Sequence, residues 1–172
     1  MTIEQLRMMC RRDLAANKGY PKSIVVLLAF RVAQYFRSRR GLVGRIVYVP
    51  VGTAYKLFSE WLLGIEIPAS TAIGPGLMLR HGVGIVINPA VVIGSDVMIR
   101  QNVTLGNRLA DDDCPVIEDG VELGAGAVVI GRVTVGAGAR IGAGAVVVKD
   151  VPPGGVAINT STEIRPGQLP RT

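Results

Sequence analysis

Histidine occurs once in this chain, at His81. Imidazole is the side chain best matched to taking and returning a proton near neutral pH, so proton transfer at position 81 is the first chemistry on offer. A surface imidazole satisfied by its neighbours is the alternative reading of an isolated histidine. Two cysteines, Cys10 and Cys114, are too few for a disulfide framework, and one histidine cannot centre a zinc site. Cys114 follows the run Asp111, Asp112 and Asp113. Three consecutive carboxylates rarely converge on one ion, so a solvated loop without metal is expected. With only His81 available to activate it, Cys114 is not expected to be a covalent nucleophile.

The elements that must position His81 are announced by a period. Stepping by six from Ile67 gives Ile73 and Leu79; after a slip of two come Ile87, Ile93, Ile99 and Leu105. After a step of twelve come Ile117, Leu123, Val129, Val135, Ile141 and Val147, and all thirteen starters are aliphatic. The fourth residue after a starter is small or aliphatic, as at Val91, Val97, Val103, Val121, Ala127, Ala139 and Ala145. The third is Gly, Asn or Asp at Gly76, Gly82, Asp96, Asn102, Gly120, Gly126, Gly138, Gly144 and Asp150. Those types tolerate a positive φ most cheaply, which predicts short strands closed by tight turns. Six is not a multiple of 3.6, and so many glycines would undo a helix. The repeat predicts a β-solenoid. The segment 107–116 adds six residues to it, and long insertions in solenoids collect on a binding face.

Residues 1–64 read differently. Thr2 and Gln5 make a capping box at the start of a first helix, and Gly19 and Pro21 break the chain after it. Apolar residues at helical spacing predict a second helix over 22–40, and a third over about 45–63 with a kink or break at Pro50. This region carries eleven Lys or Arg against three Asp or Glu, whereas residues 65–172 carry eight against ten. Basic residues Arg31, Arg37, Arg39, Arg40, Arg45 and Lys56 lie among apolar ones, so residues 22–64 predict either contact with an anionic membrane surface or packing against the solenoid and neighbouring subunits. The opening residues lack the apolar core of a secretion signal, and residues 24–30, the most apolar stretch, are too short to cross a bilayer. A cytoplasmic location is expected, either soluble or peripheral on the inner face of the membrane. The 172 residues suit one domain with a small appendage, and 49% apolar composition with 5% aromatics predicts a core of aliphatic side chains. Few aromatics in the repeat argue against nucleic-acid binding despite the basic balance.

The run from Ile67 to Asp150 resembles the hexapeptide-repeat acyltransferases. The resemblance implies a mainly β fold: a left-handed parallel β-helix of about four coils, here spanning 65–157, preceded by the helical region 1–64 and followed by a tail at 158–172. Within that superfamily, Gly64-Ile65-Glu66-Ile67-Pro68, Ile73-Gly74-Pro75-Gly76-Leu77-Met78-Leu79-Arg80-His81-Gly82, Gly84-Ile85-Val86-Ile87-Asn88-Pro89 and Gln101-Asn102-Val103-Thr104-Leu105-Gly106 are similar to the active-site coils of serine acetyltransferases. The wording is closer still to acetyltransferases of polysaccharide operons of the colanic-acid type.

What the resemblance implies is an O-acetyltransferase using acetyl-CoA, with His81 taking the proton of an acceptor hydroxyl. Glu66 matches the carboxylate, Asp in the serine enzymes, that pairs with this histidine, although an eighteen-residue coil would set position 63, not 66, beneath 81. Asn102 falls on the acceptor side. The acetyl-CoA groove is implied at Gly106, Gly124, Ala125, Gly142 and Ala143, with Arg140 and Lys149 meeting phosphates; turn geometry alone would also demand such glycines. Two departures stand out: Arg80 replaces the Asp before the catalytic His, and Cys114 replaces the second His before Pro115. Both sit where that branch handles its amino-acid acceptor. They shift the expectation from serine to a sugar, nucleotide sugar or lipid-linked oligosaccharide. Arg80 as a plain surface charge is the competing reading. The ending Ile158-Asn159-Thr160-Ser161-Thr162-Glu163 also departs from the family pattern. A homotrimer, or a pair of trimers, is implied, with sites between chains. Serine O-acetylation, or a non-catalytic scaffold that binds a partner, are the alternatives.

Overall fold

The structure is a computed structural model that describes residues 1–39 and 41–159. Arg40 and residues 160–172, which include all of the atypical run 158–163 except Ile158 and Asn159, lie outside the described residues. Three helices come first: α1 (Ile3–Ala16), α2 (Pro21–Arg37) and α3 (Leu42–Lys56). The Thr2 hydroxyl accepts from the Gln5 backbone and the Gln5 side chain accepts from the Thr2 backbone, which is the expected capping box. Of the kink or break expected at Pro50, a break does not occur. Its exposed ring costs one backbone hydrogen bond, yet α3 continues and runs on into a π-helical turn, Leu57–Leu62.

From Ile65 the chain winds into three parallel sheets. The first stacks β1 (Ile65–Glu66), β4 (Ile85–Ile87), β7 (Thr104–Gly106), β10 (Val128–Ile130) and β13 (Val146–Val147). The second stacks β2 (Ala72–Ile73), β5 (Val92–Ile93), β8 (Val116–Ile117) and β11 (Thr134–Val135). The third stacks β3 (Met78–Arg80), β6 (Met98–Arg100), β9 (Glu122–Leu123), β12 (Arg140–Ile141) and β14 (Val156–Ala157). Two faces hold five layers, so the solenoid makes about five turns rather than four, because pairing begins before the first starter and continues past the last.

All thirteen starters are at most 5% exposed. They stack in ladders inside the prism: Ile73, Ile93, Ile117 and Val135 on one wall, and Leu79, Ile99, Leu123 and Ile141 on another. Ile87, Leu105, Val129 and Val147 line the third. Each such burial contributes about 1.5–3 kcal/mol. Positive φ occurs at seven of the nine expected turn positions; Gly82 and Asp150 are the exceptions. In the first case the left-handed conformation falls instead on His81 and Gly84. Asp150 instead uses its side chain to accept from the Thr134 backbone at 2.7 Å.

The first coil of a solenoid presents an open edge, and unpaired strand edges invite aggregation. The helices close it with side chains. Asp13 Oδ1 accepts from the Gly76 and Leu77 backbones at 2.8 and 3.1 Å. Asn17 donates to the Leu77 carbonyl and accepts from the Leu79 backbone, while Ser23 donates to the Leu79 carbonyl. Arg31 donates to the carbonyls of Ile73 and Gly74, Gln34 to that of Thr71, and the Tyr55 hydroxyl to that of Ile67. Arg31 and Asp13 are both about fully buried and form an ion pair at 2.7 Å. Arg31 therefore cannot belong to a membrane-facing basic set; of the two expectations for this region, it follows packing against the solenoid.

Removing one partner of a buried ion pair leaves an uncompensated charge, at a cost of about 3–5 kcal/mol. Arg31→Met is therefore expected to lower the urea midpoint sharply, while Arg12→Met, which breaks only the exposed pair with Asp96, moves it by less than about 1 kcal/mol equivalent. Equal shifts in the two variants would show that the buried pair does not hold the cap.

Candidate active site

His81 lies at the corner between the third sheet and the first. The slip of two residues seen in the repeat is spent here: Leu79 pairs with Ile99 and Ile65 with Ile85, so the first turn is twenty residues long instead of eighteen. The eighteen-residue register fails at this corner, and Gly64, whose carbonyl accepts from Gly84 at 2.7 Å, lies beneath Gly84. The bulge pushes His81 outward into an exposed position with φ 59°. A left-handed conformation costs a non-glycine residue about 1–2 kcal/mol, and such strain concentrates where a side chain must be aimed. Gly82 is buried behind it; a Cβ there would meet Ile65 Cδ1 at 3.3 Å, so close packing rather than turn geometry requires this glycine.

Tyr20, between α1 and α2, sets its ring edge-on to His81 with centroids 6.1 Å apart. The Arg80 guanidinium stacks 4.2 Å over the same ring and donates to the Ala16 carbonyl, at the C-terminal end of α1, at 3.1 Å. Arg80 is thus a clamp to the helices rather than a free surface charge. Sequence reasoning misses Tyr20, for which the available signal is an aromatic wedged between the breakers Gly19 and Pro21. Arg80 Nη1 and Gln101 Oε1, both buried near this corner, have no hydrogen-bond partner among the described residues.

The same corner repeats in every layer above. Asn102 donates from its backbone to the Val83 carbonyl, Gly126 to that of Gln101, and Gly144 to that of Ala125, each at 2.9 Å. His81, Asn102, Gly124, Ala125, Gly142 and Ala143 therefore share one edge of the prism. The Asn102 side-chain oxygen lies directly over Gly84. Gly124 is needed for stacking, because a Cβ would stand 2.6 Å from the Ala143 nitrogen. Glu66 points outward from β1 beside Val86, and no hydrogen bond joins it to His81 among the described residues. Gly106 and Lys149 lie towards the opposite margin of the first sheet, and Arg140 projects from the third, 3.9 Å from Glu122. Gly106 is singular. Among the described glycines it alone has an ordinary φ and no neighbour that a Cβ would meet.

In the insertion between β7 and β8, Arg132 approaches Asp112 and Asp113 at 3.9 Å each, long and largely exposed ion pairs that add little stability. Cys114 is buried, its thiol 3.7 Å from the Asp111 carbonyl. Burial first, and then the charges of Asp113, Asp112 and Asp111, push that thiol above its ordinary pKa. Cys10 is likewise raised, mainly by burial.

Residues 114–149 match the family described as Bacterial transferase hexapeptide (six repeats). The chain is 37% identical over 126 residues to the protein assigned as the colanic acid biosynthesis acetyltransferase WcaB of Escherichia coli K12, covering 72% of this chain and 78% of that one. The chain belongs to the hexapeptide-repeat acetyltransferases. The serine acetyltransferase of Salmonella typhimurium is 36% identical over 164 residues, which cover 91% of this chain and 58% of that enzyme. The structure of soybean serine acetyltransferase complexed with serine superposes with a TM-score of 0.76 at 30% identity, over 91% of this chain and 68% of the other. The solenoid is thus the left-handed β-helix of this family, and the scaffold reading gives way to an acetyltransferase.

For a hexapeptide-repeat acetyltransferase, an open glycine on an outer face is a place where something else can approach the backbone. Gly106→Val is expected to leave the melting temperature nearly unchanged and to raise the KM for acetyl-CoA several-fold. An unaltered KM would remove Gly106 from the groove. Both thiols are expected to react slowly with alkylating reagents at neutral pH, because the thiolate is the reactive form. Rapid labelling of Cys114 in the folded protein, followed by peptide mass spectrometry, would contradict its placement.

Proposed function

We propose that the chain transfers the acetyl group of acetyl-CoA to a sugar hydroxyl during assembly of a cell-surface polysaccharide, with His81 as general base. One observation carries the reading: the single imidazole is held exposed, in a strained turn, on the edge it shares with Asn102, Ala125 and Ala143. His81 takes the proton of the acceptor hydroxyl as its oxygen bonds to the acetyl carbonyl carbon. The imidazolium returns that proton as the carbon–sulfur bond breaks, so free CoA thiol and the acetyl ester leave a neutral His81. Glu66, on β1 beneath the strand that follows His81, orients the ring and steadies its charged form when substrate is bound. Asn102 and the corner bearing Arg80 face the acceptor. Gly106, the two Gly-Ala pairs at 124–125 and 142–143, Arg140 and Lys149 serve acetyl-CoA. The open corner is completed by a neighbouring chain in a trimer.

The sugar acceptor is favoured over serine by two facts. The chain spans 78% of WcaB but 58% of the Salmonella serine enzyme. A guanidinium one aromatic ring away from His81 would repel the ammonium of a free amino acid. Serine O-acetylation is the second reading, supported by the superposition on a serine-bound structure over 91% of this chain.

Thiol release from acetyl-CoA, measured with serine, nucleotide sugars and lipid-linked oligosaccharides, separates the two. Turnover with a sugar acceptor and none with serine is expected, and the reverse would establish the second reading. His81→Ala should lower kcat by about 10²–10⁴ with the fold intact, and Glu66→Ala by less. Near-normal turnover in His81→Ala would exclude the histidine as base. Sedimentation should find no monomer with full activity at micromolar concentration.

A further inference from the structure

No helix among the described residues is long and apolar enough to cross a membrane. The outer side of α3 is nonetheless more apolar than a solvated helix needs. Leu42 is 73% exposed, Ile46 62% and Val49 63%, at the i, i+4, i+7 spacing of one helix face. Leu57, at 53%, extends the stripe, and the π-helical turn ends it with Trp61 at 81% and Leu62 at 72%. The inner side of α3 is already used: Tyr55 is buried, its hydroxyl capping Ile67 and its ring 6.1 Å from Phe30. The outer stripe therefore has no partner among the described residues.

Charge says what kind of surface fits it. Apart from Arg31, which is buried against Asp13, residues 21–62 contain six Lys or Arg and one acidic residue, Glu60, which lies 3.7 Å from Lys56. Arg37, Arg39 and Arg45 converge on the elbow between α2 and α3, lining with Phe36 and Tyr48 a cleft of about 650 Å³. Arg37 stacks over Tyr48 and Arg39 over Tyr35, which holds both guanidinium groups on the surface. A second copy of this chain would bring the same positive elbow and the same apolar stripe with almost no acid to answer them. An anionic bilayer offers negative phosphates and an apolar interior side by side.

We propose that α3 and the π-helical turn lie in the interfacial plane of an anionic bilayer, with the Leu42–Ile46–Val49–Leu57 stripe and Trp61 at the acyl boundary and Arg37, Arg39 and Arg45 against lipid phosphates. A helix of this length lies about 30 Å along the surface, and its apolar side reaches about 5–10 Å into the headgroup region. The proposal is independent of the acceptor assigned above, because attachment is read without turnover.

The test uses the full chain with vesicles of phosphatidylcholine alone or with 30 mol% phosphatidylglycerol (roughly the anionic content at which such surfaces bind). Trp61 is the only tryptophan, so its emission reports this face alone. Co-flotation with anionic vesicles at low salt, a blue shift of Trp61 emission, quenching by brominated acyl chains and release at high salt are expected. Each basic residue near the bilayer contributes about fivefold in partitioning, so R37Q/R39Q/R45Q should bind on the order of a hundredfold more weakly, with an unchanged far-ultraviolet spectrum. If that variant misfolds, Ile46→Asp and the salt titration of the unaltered chain decide the matter. Failure to float with anionic vesicles at low salt overturns the proposal. Flotation without a Trp61 shift, or equal flotation with neutral vesicles, overturns it too. A Trp61 emission already blue-shifted without vesicles, and dependent on protein concentration, would assign the face to contacts between copies instead.

Discussion

A solenoid is stable only if its first coil has something to pair with, and here that constraint is met by side chains instead of another strand. Asp13, Asn17, Ser23, Arg31, Gln34 and Tyr55 supply donors and acceptors to the backbones of β2 and β3 and to the carbonyl after β1. Asp13 and Arg31 could not be buried without each other, and neither would be satisfied without the backbone groups that take up their remaining hydrogen-bonding capacity. The polar network is thus specific to the edge it closes. It settles which coil is first, blocks edge-to-edge growth, and fixes the three helices at one end of the prism.

With that end closed, the rest of the solenoid is repetition, and its chemistry comes from departures from repetition. Coils in exact six-residue register stack like on like, as the starter ladders do, and such stacking leaves no side chain singled out. The two extra residues beside His81 and the six in segment 107–116 break the period at opposite margins of the first sheet. One break lifts an imidazole off the wall. The other raises a loop whose Asp112 and Asp113 face Arg132. Between them lie outward-facing residues of β7 and β10, including Gly106, where no neighbouring atom fills the space. In the proposed reaction, a long, thin acyl donor and an acceptor hydroxyl would meet on this strip, with the imidazole at one side.

The fold is most legible in the sequence where one physical signal dominates. A six-residue aliphatic period has no other economical explanation, so the period alone assigns every starter to the core, and the Thr2–Gln5 cap is equally local. Legibility fails where long-range pairing decides the outcome. Arg31 reads as one more basic residue on an apolar helix, and only the folded chain reveals Asp13, eighteen residues away, beside it. Gly82 carries the turn signal, yet the turn strains His81 because an inserted pair of residues shifts the corner. Arg80 reads as facing either acceptor or water, and no local pattern tells that Tyr20 and the end of α1 claim it.

That last contact joins the two halves of the molecule. β3 carries both the edge that the helices seal and, at its end, the residues Arg80 and His81. Leu77 and Leu79 are held by Asn17, Arg80 by Ala16 and Tyr20, and His81 meets the Tyr20 ring. The cap is therefore also one wall of the site. Changes in α1 and the turn before α2 can alter what stands beside the imidazole without disturbing a single ladder of the solenoid.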